Sequence, residues 1–116
     1  MNHTMDNLQD ELRDFAKDRD WEKFHTPKNL VMAMSVEVSE IMEHFQWLDS
    51  ADWPAGKTGL IADEMADVLI YLVRMADVMG IELLESAFAK MEKNGEKYPA
   101  DLVRGKADKY TEYNLS

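Results

Sequence analysis

The chain has 116 residues, 46% of them hydrophobic, and a formal net charge of −10 at pH 7. Its length predicts a single domain over residues 1–116, and the absence of cysteine excludes disulfides and thiolate metal sites. The acidic balance argues against a nucleic acid polymer as partner, because such binding needs a basic surface. We expect a cytoplasmic protein with no membrane partner, since no apolar run approaches the ~20 residues that span a bilayer and residues 1–4 do not resemble a signal peptide.

Hydrophobic periodicity predicts two helices in the first half of the chain. Leu8, Leu12 and Phe15 recur at helical spacing over residues 5–19, and residues 20–25 are predicted to form a loop. Thr26 followed by Pro27 is a strong signal for a helix start. The second helix is predicted to run from there to residue 46 or 48.

The second half of the chain predicts two further helices. After a loop over residues 49–56, the third helix opens at residue 57 or 58 and ends near Met79, with Gly80 just beyond its last turn. The fourth spans residues 82–93 and is capped by Asn94-Gly95, and residues 98–116 are predicted to be a polar, largely irregular tail. The fold class is therefore all-α, an antiparallel bundle of about four helices. We also expect a homo-oligomer, because the chain is small and both central helices are apolar on more than one face.

Two acidic pairs, Glu37 with Glu40 and Glu64 with Asp67, lie within the most apolar stretches of the second and third helices. Residues three apart share a helix face, so both pairs are predicted to point inward. The alternative is a solvated acidic face, which the apolar residues on the same stripes disfavour. Unpaired carboxylates are costly to bury and repel one another, so the pattern predicts a compensating cation.

The ligand types indicate which cation this is. A cluster of carboxylate oxygens suits Mg²⁺, with Mn²⁺ as a substitute, whereas the Glu-x-x-His motif of di-iron bundles is absent. Mg²⁺ prefers to share its shell with phosphate oxygens, and bound ions can activate water and clamp a leaving group. The pattern predicts hydrolysis at phosphorus, with all four carboxylates as metal ligands and catalytic residues.

The acidic pairs and the segments around them resemble the MazG-like all-α nucleotide pyrophosphohydrolases, and in particular their dCTP pyrophosphatase branch. The resemblance covers residues 8–111 and rests on Arg19-Asp20-Trp21, Phe24-His25-x-Pro27-x-Asn29-Leu30, Phe45-Gln46-Trp47, Asp67-Val68-Leu69-Ile70-Tyr71-Leu72-Val73 and Lys97-Tyr98-Pro99. It implies Mg²⁺-dependent hydrolysis of a deoxynucleoside triphosphate to the monophosphate and pyrophosphate, by a dimer or a dimer-of-dimers tetramer. Deoxycytidine nucleotides, including modified ones, are the implied substrates, and cleansing of the nucleotide pool is the implied role. Mammalian relatives carry a histidine where this chain has Leu12, which leaves base selectivity open.

The resemblance further implies eight substrate-binding residues, namely Trp21, His25, Trp47, Tyr71, Lys90, Asn94, Lys97 and Tyr98. Seven of them have a structural alternative: packing for the tryptophans and Tyr98, capping or a surface position for His25, capping for Asn94, and solvated charge for the lysines. Two other functions stay open at this point. One is a non-catalytic dimerisation or nucleotide-sensing module with a structural divalent-ion site, and the other is a carboxylate-bridged redox bundle.

Overall fold

A computed structural model describes residues 3–49 and 51–107 of the chain. All regular secondary structure in these two ranges is helical, which confirms the predicted all-α class. No helix in the same ranges is long and apolar enough to cross a membrane. The helices are α1 (Met5–Asp18), a short 3-10 helix (Glu22–Phe24), α2 (Pro27–Glu43), α3 (Thr58–Met79), α4 (Leu83–Lys97) and α5 (Ala100–Val103).

The starts and ends of the central helices follow the signals in the sequence. The Thr26 hydroxyl accepts a hydrogen bond from the Asn29 backbone N–H at 3.2 Å, as an N-cap should. The Asn29 side-chain amide donates back to the Phe24 carbonyl at 2.8 Å, which ties the preceding segment to the first turn of α2. Gly80 ends α3 in the left-handed region, with φ of 68°, a conformation that favours glycine.

Helix α2 is shorter than predicted and ends at Glu43. Beyond it the Phe45 N–H bonds to the Met42 carbonyl, and the Leu48 N–H bonds to the Phe45 carbonyl. These bonds span three residues rather than four, so the chain tightens into turns and leaves the α-helical path.

Helix α4 is longer than predicted, and the expectation that Asn94-Gly95 caps it is wrong. The helix continues through both residues to Lys97, and Gly95 does not adopt the positive φ of a glycine that ends a helix. The ending coincides with Pro99, which restricts the residue before it to extended conformations. The predicted tail also contains α5, while its residues 108–116 lie outside the described ranges.

The chain forms two compact units, which divide between Ile81 and Glu82. In the first unit α2 packs along α3, and α1 also contacts α3. The apolar core of this unit is small, and its buried members are Ala16, Leu30, Ile61, Val73 and Ala76.

Helices α2 and α3 run antiparallel, as predicted. His44, just after α2, bonds to Glu64 near the start of α3 at 2.8 Å. His25, just before α2, bonds to Arg74 near the end of α3 at 3.1 Å. The two contacts fix the register and place the middle of each helix opposite the middle of the other.

Candidate functional site

The antiparallel register brings the two acidic pairs to the same part of the first unit. Glu37, Glu40 and Glu64 are half-buried, as the expectation of inward-pointing side chains requires. Asp67 is exposed in the single chain, contrary to that expectation. The reason is that the first half of α3 is covered on one side only, where Ile61 is buried.

Glu37 is the electrostatic centre of this cluster. Its Oε2 atom is buried and has no hydrogen-bond partner within the described ranges. Burial raises the pKa of Glu37 above its ordinary 4.5, and a hydrogen bond with the Glu40 carboxyl and the negative charges of Glu40, Asp67 and Glu64 raise it further. The other three predicted carboxylates therefore all lie within electrostatic range of Glu37.

His44 holds one of these carboxylates. Its Nε2 atom lies 2.8 Å from Glu64 Oε2, and both side chains are mostly buried, with 15% and 21% of their surfaces exposed. His44 was not among the site residues predicted from the sequence, because its partner lies on a different helix. The carboxylate must be the acceptor of this bond, so His44 fixes the orientation of Glu64.

The four carboxylates have suitable donor atoms for a hard divalent cation, but their side chains are not arranged around a common point. Their donors are all oxygen, the type that Mg²⁺ prefers, and the buried Oε2 of Glu37 has no other partner in the described part of the chain. As the side chains lie, no group of three or more His, Asp or Glu within residues 3–49 and 51–107 could hold a metal ion. Ligation would therefore require the other acidic side chains to rotate toward the Glu64 carboxylate that His44 holds.

Exposed aromatic side chains provide surfaces on which a nucleotide base could stack. Trp21 is 44% exposed and makes edge contacts with Phe15 and His25, at ring-centre distances of 5.8 and 6.4 Å. Trp47 is 88% exposed, so core packing does not explain it in the single chain. Tyr71 is half-buried and follows Asp67 by four residues, on the same face of α3.

The structure also shows a polar network that the sequence reasoning missed. Arg74 is buried and donates from Nε to His25 Nδ1 at 3.1 Å and from Nη1 to Asp77 Oδ2 at 3.3 Å. Arg13 of α1 donates from Nε to the same Asp77 oxygen at 2.6 Å. The available signal was a charged i, i+3 pair, Arg74 and Asp77, inside the apolar run of α3.

The remaining predicted substrate residues belong to the second unit. Lys90, Asn94 and Lys97 follow helical spacing and share one face of α4. Lys90 is exposed, whereas Asn94 and Lys97 are half-buried. Tyr98 follows the helix directly and is 37% exposed. The common face agrees with the idea that these residues act together, and their role in substrate binding stays a prediction.

Comparison with known proteins gives concordant results. Residues 32–113 match the model of the MazG-like family. The chain is 39% identical to dCTP pyrophosphatase 1 of Mus musculus and 38% identical to that of Homo sapiens, over 94% of this chain and 67% of each relative. A crystal structure of a pyrophosphatase from Archaeoglobus fulgidus superposes with a TM-score of 0.79 at 46% identity, covering 85% of this chain and 95% of that one.

Proposed function

The chain belongs to the MazG-like family and is a nucleotide pyrophosphatase, and we propose that it cleaves deoxynucleoside triphosphates in a Mg²⁺-dependent reaction. The products are the deoxynucleoside monophosphate and pyrophosphate. The observation that carries the metal dependence is the buried Glu37 Oε2, which lacks a partner in the described ranges and lies among three further carboxylates. A triphosphate cannot approach such a cluster without cations to offset the repulsion.

In the proposed reaction the metal ligands are Glu37, Glu40, Glu64 and Asp67. Bound Mg²⁺ would neutralise phosphate charge and lower the pKa of a water molecule. Glu37 or Glu40 accepts a proton from the attacking water, and His44 keeps Glu64 oriented through its 2.8 Å bond. Attack at the α-phosphorus breaks its bond to the bridging oxygen, and pyrophosphate leaves with the electron pair.

We propose dCTP or a modified deoxycytidine nucleotide as the preferred substrate. The support is the similarity to the mammalian dCTP pyrophosphatase 1 proteins, together with the exposed rings of Trp21 and Trp47. The cellular role would be cleansing of the nucleotide pool in the cytoplasm. A chain without cysteine is compatible with that reducing compartment, in which disulfides are rare. Leu12 marks the position at which base selectivity can differ from that of the mammalian relatives.

We propose that the functional form is a homo-oligomer. On α2, Met32, Val36 and Met42 are 57–63% exposed, and on α3, Leu60 and Met65 are 57–58% exposed. An apolar surface of this kind, next to an acidic cluster, is unusual for a monomer. A second copy, as a dimer or within a dimer-of-dimers tetramer, would cover it and would also enclose Asp67. Analytical ultracentrifugation at micromolar protein tests this, and a sedimentation coefficient of a monomer contradicts it.

The decisive experiment is product analysis after incubation with each deoxynucleoside triphosphate and Mg²⁺. Monophosphate plus pyrophosphate supports the proposal, whereas diphosphate plus phosphate contradicts it. EDTA should abolish turnover. The rival idea of a non-catalytic module with a structural ion predicts metal-dependent stability with no product at all.

Matched variants test the assignment of the carboxylates. Glu37→Gln and Asp67→Asn should fold and lose turnover, because each replaces a proposed ligand by a neutral group of similar size. The controls are Glu43→Gln and Asp63→Asn, which change exposed acids on the same two helices and should retain activity. Turnover at the wild-type rate by either ligand variant would refute its role.

A further inference from the structure

Arg74 is buried at 9% exposure and is the one charged residue in the buried core of the described chain. A charge in such a position is costly unless it is paired and hydrogen-bonded. Its guanidinium donates to His25 through Nε and to Asp77 through Nη1. His25 is a neutral acceptor rather than an anion, so charge compensation alone does not explain why Arg74 is bonded to it.

The bond between Arg74 and His25 determines where the histidine carries its proton. Arginine has only donors and stays protonated in proteins, so Nδ1 of His25 must be the acceptor. A histidine that accepts at Nδ1 is neutral, with its proton on Nε2. Burial and the positive charge of Arg74 lower the pKa of His25, which agrees with a neutral ring. His25 is thereby set as a donor at Nε2.

Arg74 is itself held in place from α1. Asp77, whose side chain is 8% exposed, accepts hydrogen bonds from Arg13 and from the Gln9 amide as well as from Arg74. These bonds and the charges of both arginines lower the pKa of Asp77, the hydrogen bond from Arg13 contributing most. Asp77 is therefore a fixed anion that orients the guanidinium, and α1, α3 and the residue His25 before α2 meet in one network.

The position of this network relates it to the proposed active site. Arg74 follows Asp67 by seven residues and Tyr71 by three, so all three lie on one face of α3, and Arg74 is about 10 Å further along the axis. His25 also touches Trp21, an exposed ring. Nε2 of His25 makes no hydrogen bond to any residue in 3–49 or 51–107.

We propose that Arg74, held by Asp77, is a positioning residue that fixes His25 as a neutral Nε2–H donor to an acceptor atom of the bound nucleoside. The proposal rests on the proposed nucleotide pyrophosphatase function. It assigns the acidic end of the α3 face to the phosphates and the Arg74 end to the nucleoside. It also explains why a buried cation is paired with a histidine.

The first test needs no substrate and is independent of activity. The chain has three histidines, so ¹⁵N-histidine labelling gives a simple long-range ¹H–¹⁵N spectrum, and the His25→Gln variant assigns the resonances. We expect Nε2 of His25 to be protonated and Nδ1 to be unprotonated near neutral pH. A proton on Nδ1, or rapid exchange between the two tautomers, would overturn the proposal, even if the enzyme turns over its substrates normally.

The second test separates positioning from general structural damage. Arg74→Met and Arg74→Lys should raise KM by roughly three- to tenfold, the worth of one net hydrogen bond, with kcat changed much less. His25→Leu should match this effect, whereas His25→Gln, which keeps an N–H donor, should lie nearer to wild type. Lys17→Met is the control, since it removes an exposed cation of the same unit.

The outcomes of the kinetic test are distinguishable. An unchanged KM in His25→Leu, or a fall in kcat alone in Arg74→Lys, contradicts the proposal. If the Arg74 variants fail to fold, the two His25 variants and the wild-type spectrum still decide it. Absence of pyrophosphate from the wild-type protein would instead refute the proposed function, while leaving the tautomer measurement valid.

Discussion

Replacement of Trp47 by alanine tests whether this side chain stacks on the substrate base or packs in a subunit interface. Only about one eighth of this side chain is covered in the single chain, since it is 88% exposed. At about 25 cal/mol per Å² of apolar surface, and roughly 250 Å² for a whole tryptophan, the loss of folding free energy is below about 1 kcal/mol. Stacking of a base on an aromatic ring is worth about 1–3 kcal/mol. We therefore expect kcat/KM to fall about 5- to 150-fold with little change in Tm.

Steady-state kinetics with dCTP and Mg²⁺, together with thermal unfolding at several protein concentrations, measures both effects. Trp53→Ala is the matched control, because Trp53 is also mostly exposed, at 70%, and makes an edge contact with Phe45. It should leave kcat/KM close to wild type. The reasoning about stacking fails if Trp47→Ala lowers Tm by many degrees in a concentration-dependent way, since Trp47 would then stabilise a subunit contact.

Three further results are expected. Because the pKa of Asp77 is lowered in the folded state, this carboxylate stabilises the fold above its unfolded pKa of 3.8, and the stabilisation is lost as pH falls through the folded pKa. Asp77→Asn should therefore flatten the acid limb of a curve of unfolding free energy against pH. An unchanged limb below about pH 4 contradicts this. Leu30→Ala, at a side chain with 2% exposure, should lower the free energy of urea unfolding by about 2–5 kcal/mol, and a loss below about 1 kcal/mol would mean that the site collapses. Mg²⁺ should raise the Tm of the wild-type protein more than that of Glu37→Gln, because ligand binding stabilises the folded state by mass action; equal shifts in differential scanning fluorimetry would place the ion elsewhere.

The helices were predictable where local chemistry decides them. Thr26-Pro27 and Gly80 act through their own backbone and side-chain geometry, and the structure places a helix start and a helix end there. The end of α4 was not predictable in this way, because Asn94-Gly95 allows a helix to end but does not require it. The helix continues to Lys97 and ends just before Pro99. The steric restriction that proline places on the preceding residue is a stronger signal than Asn94-Gly95.

The candidate site was predictable only in part, for a related reason. Periodicity placed Glu37, Glu40 and Glu64 toward the packed side of their helices, and these three are half-buried. The exposure of Asp67 depends on how much of α3 is covered by other elements, and periodicity within one helix gives no information about that. The pairing of His44 with Glu64 and of His25 with Arg74 depends on the register between helices, which a single sequence does not specify.

The two histidines at either end of the α2–α3 pair show how one register serves both halves of the proposed site. The His44–Glu64 bond fixes a carboxylate at the start of α3, and the Arg74–His25 bond fixes a donor near its end. A slip of α2 along α3 by one turn would displace both by about 5 Å and break the two contacts together. On the proposed assignment of the two ends, phosphate binding and nucleoside binding would therefore be coupled through the packing of these helices. Disruption of one contact should weaken the other before it unfolds the chain.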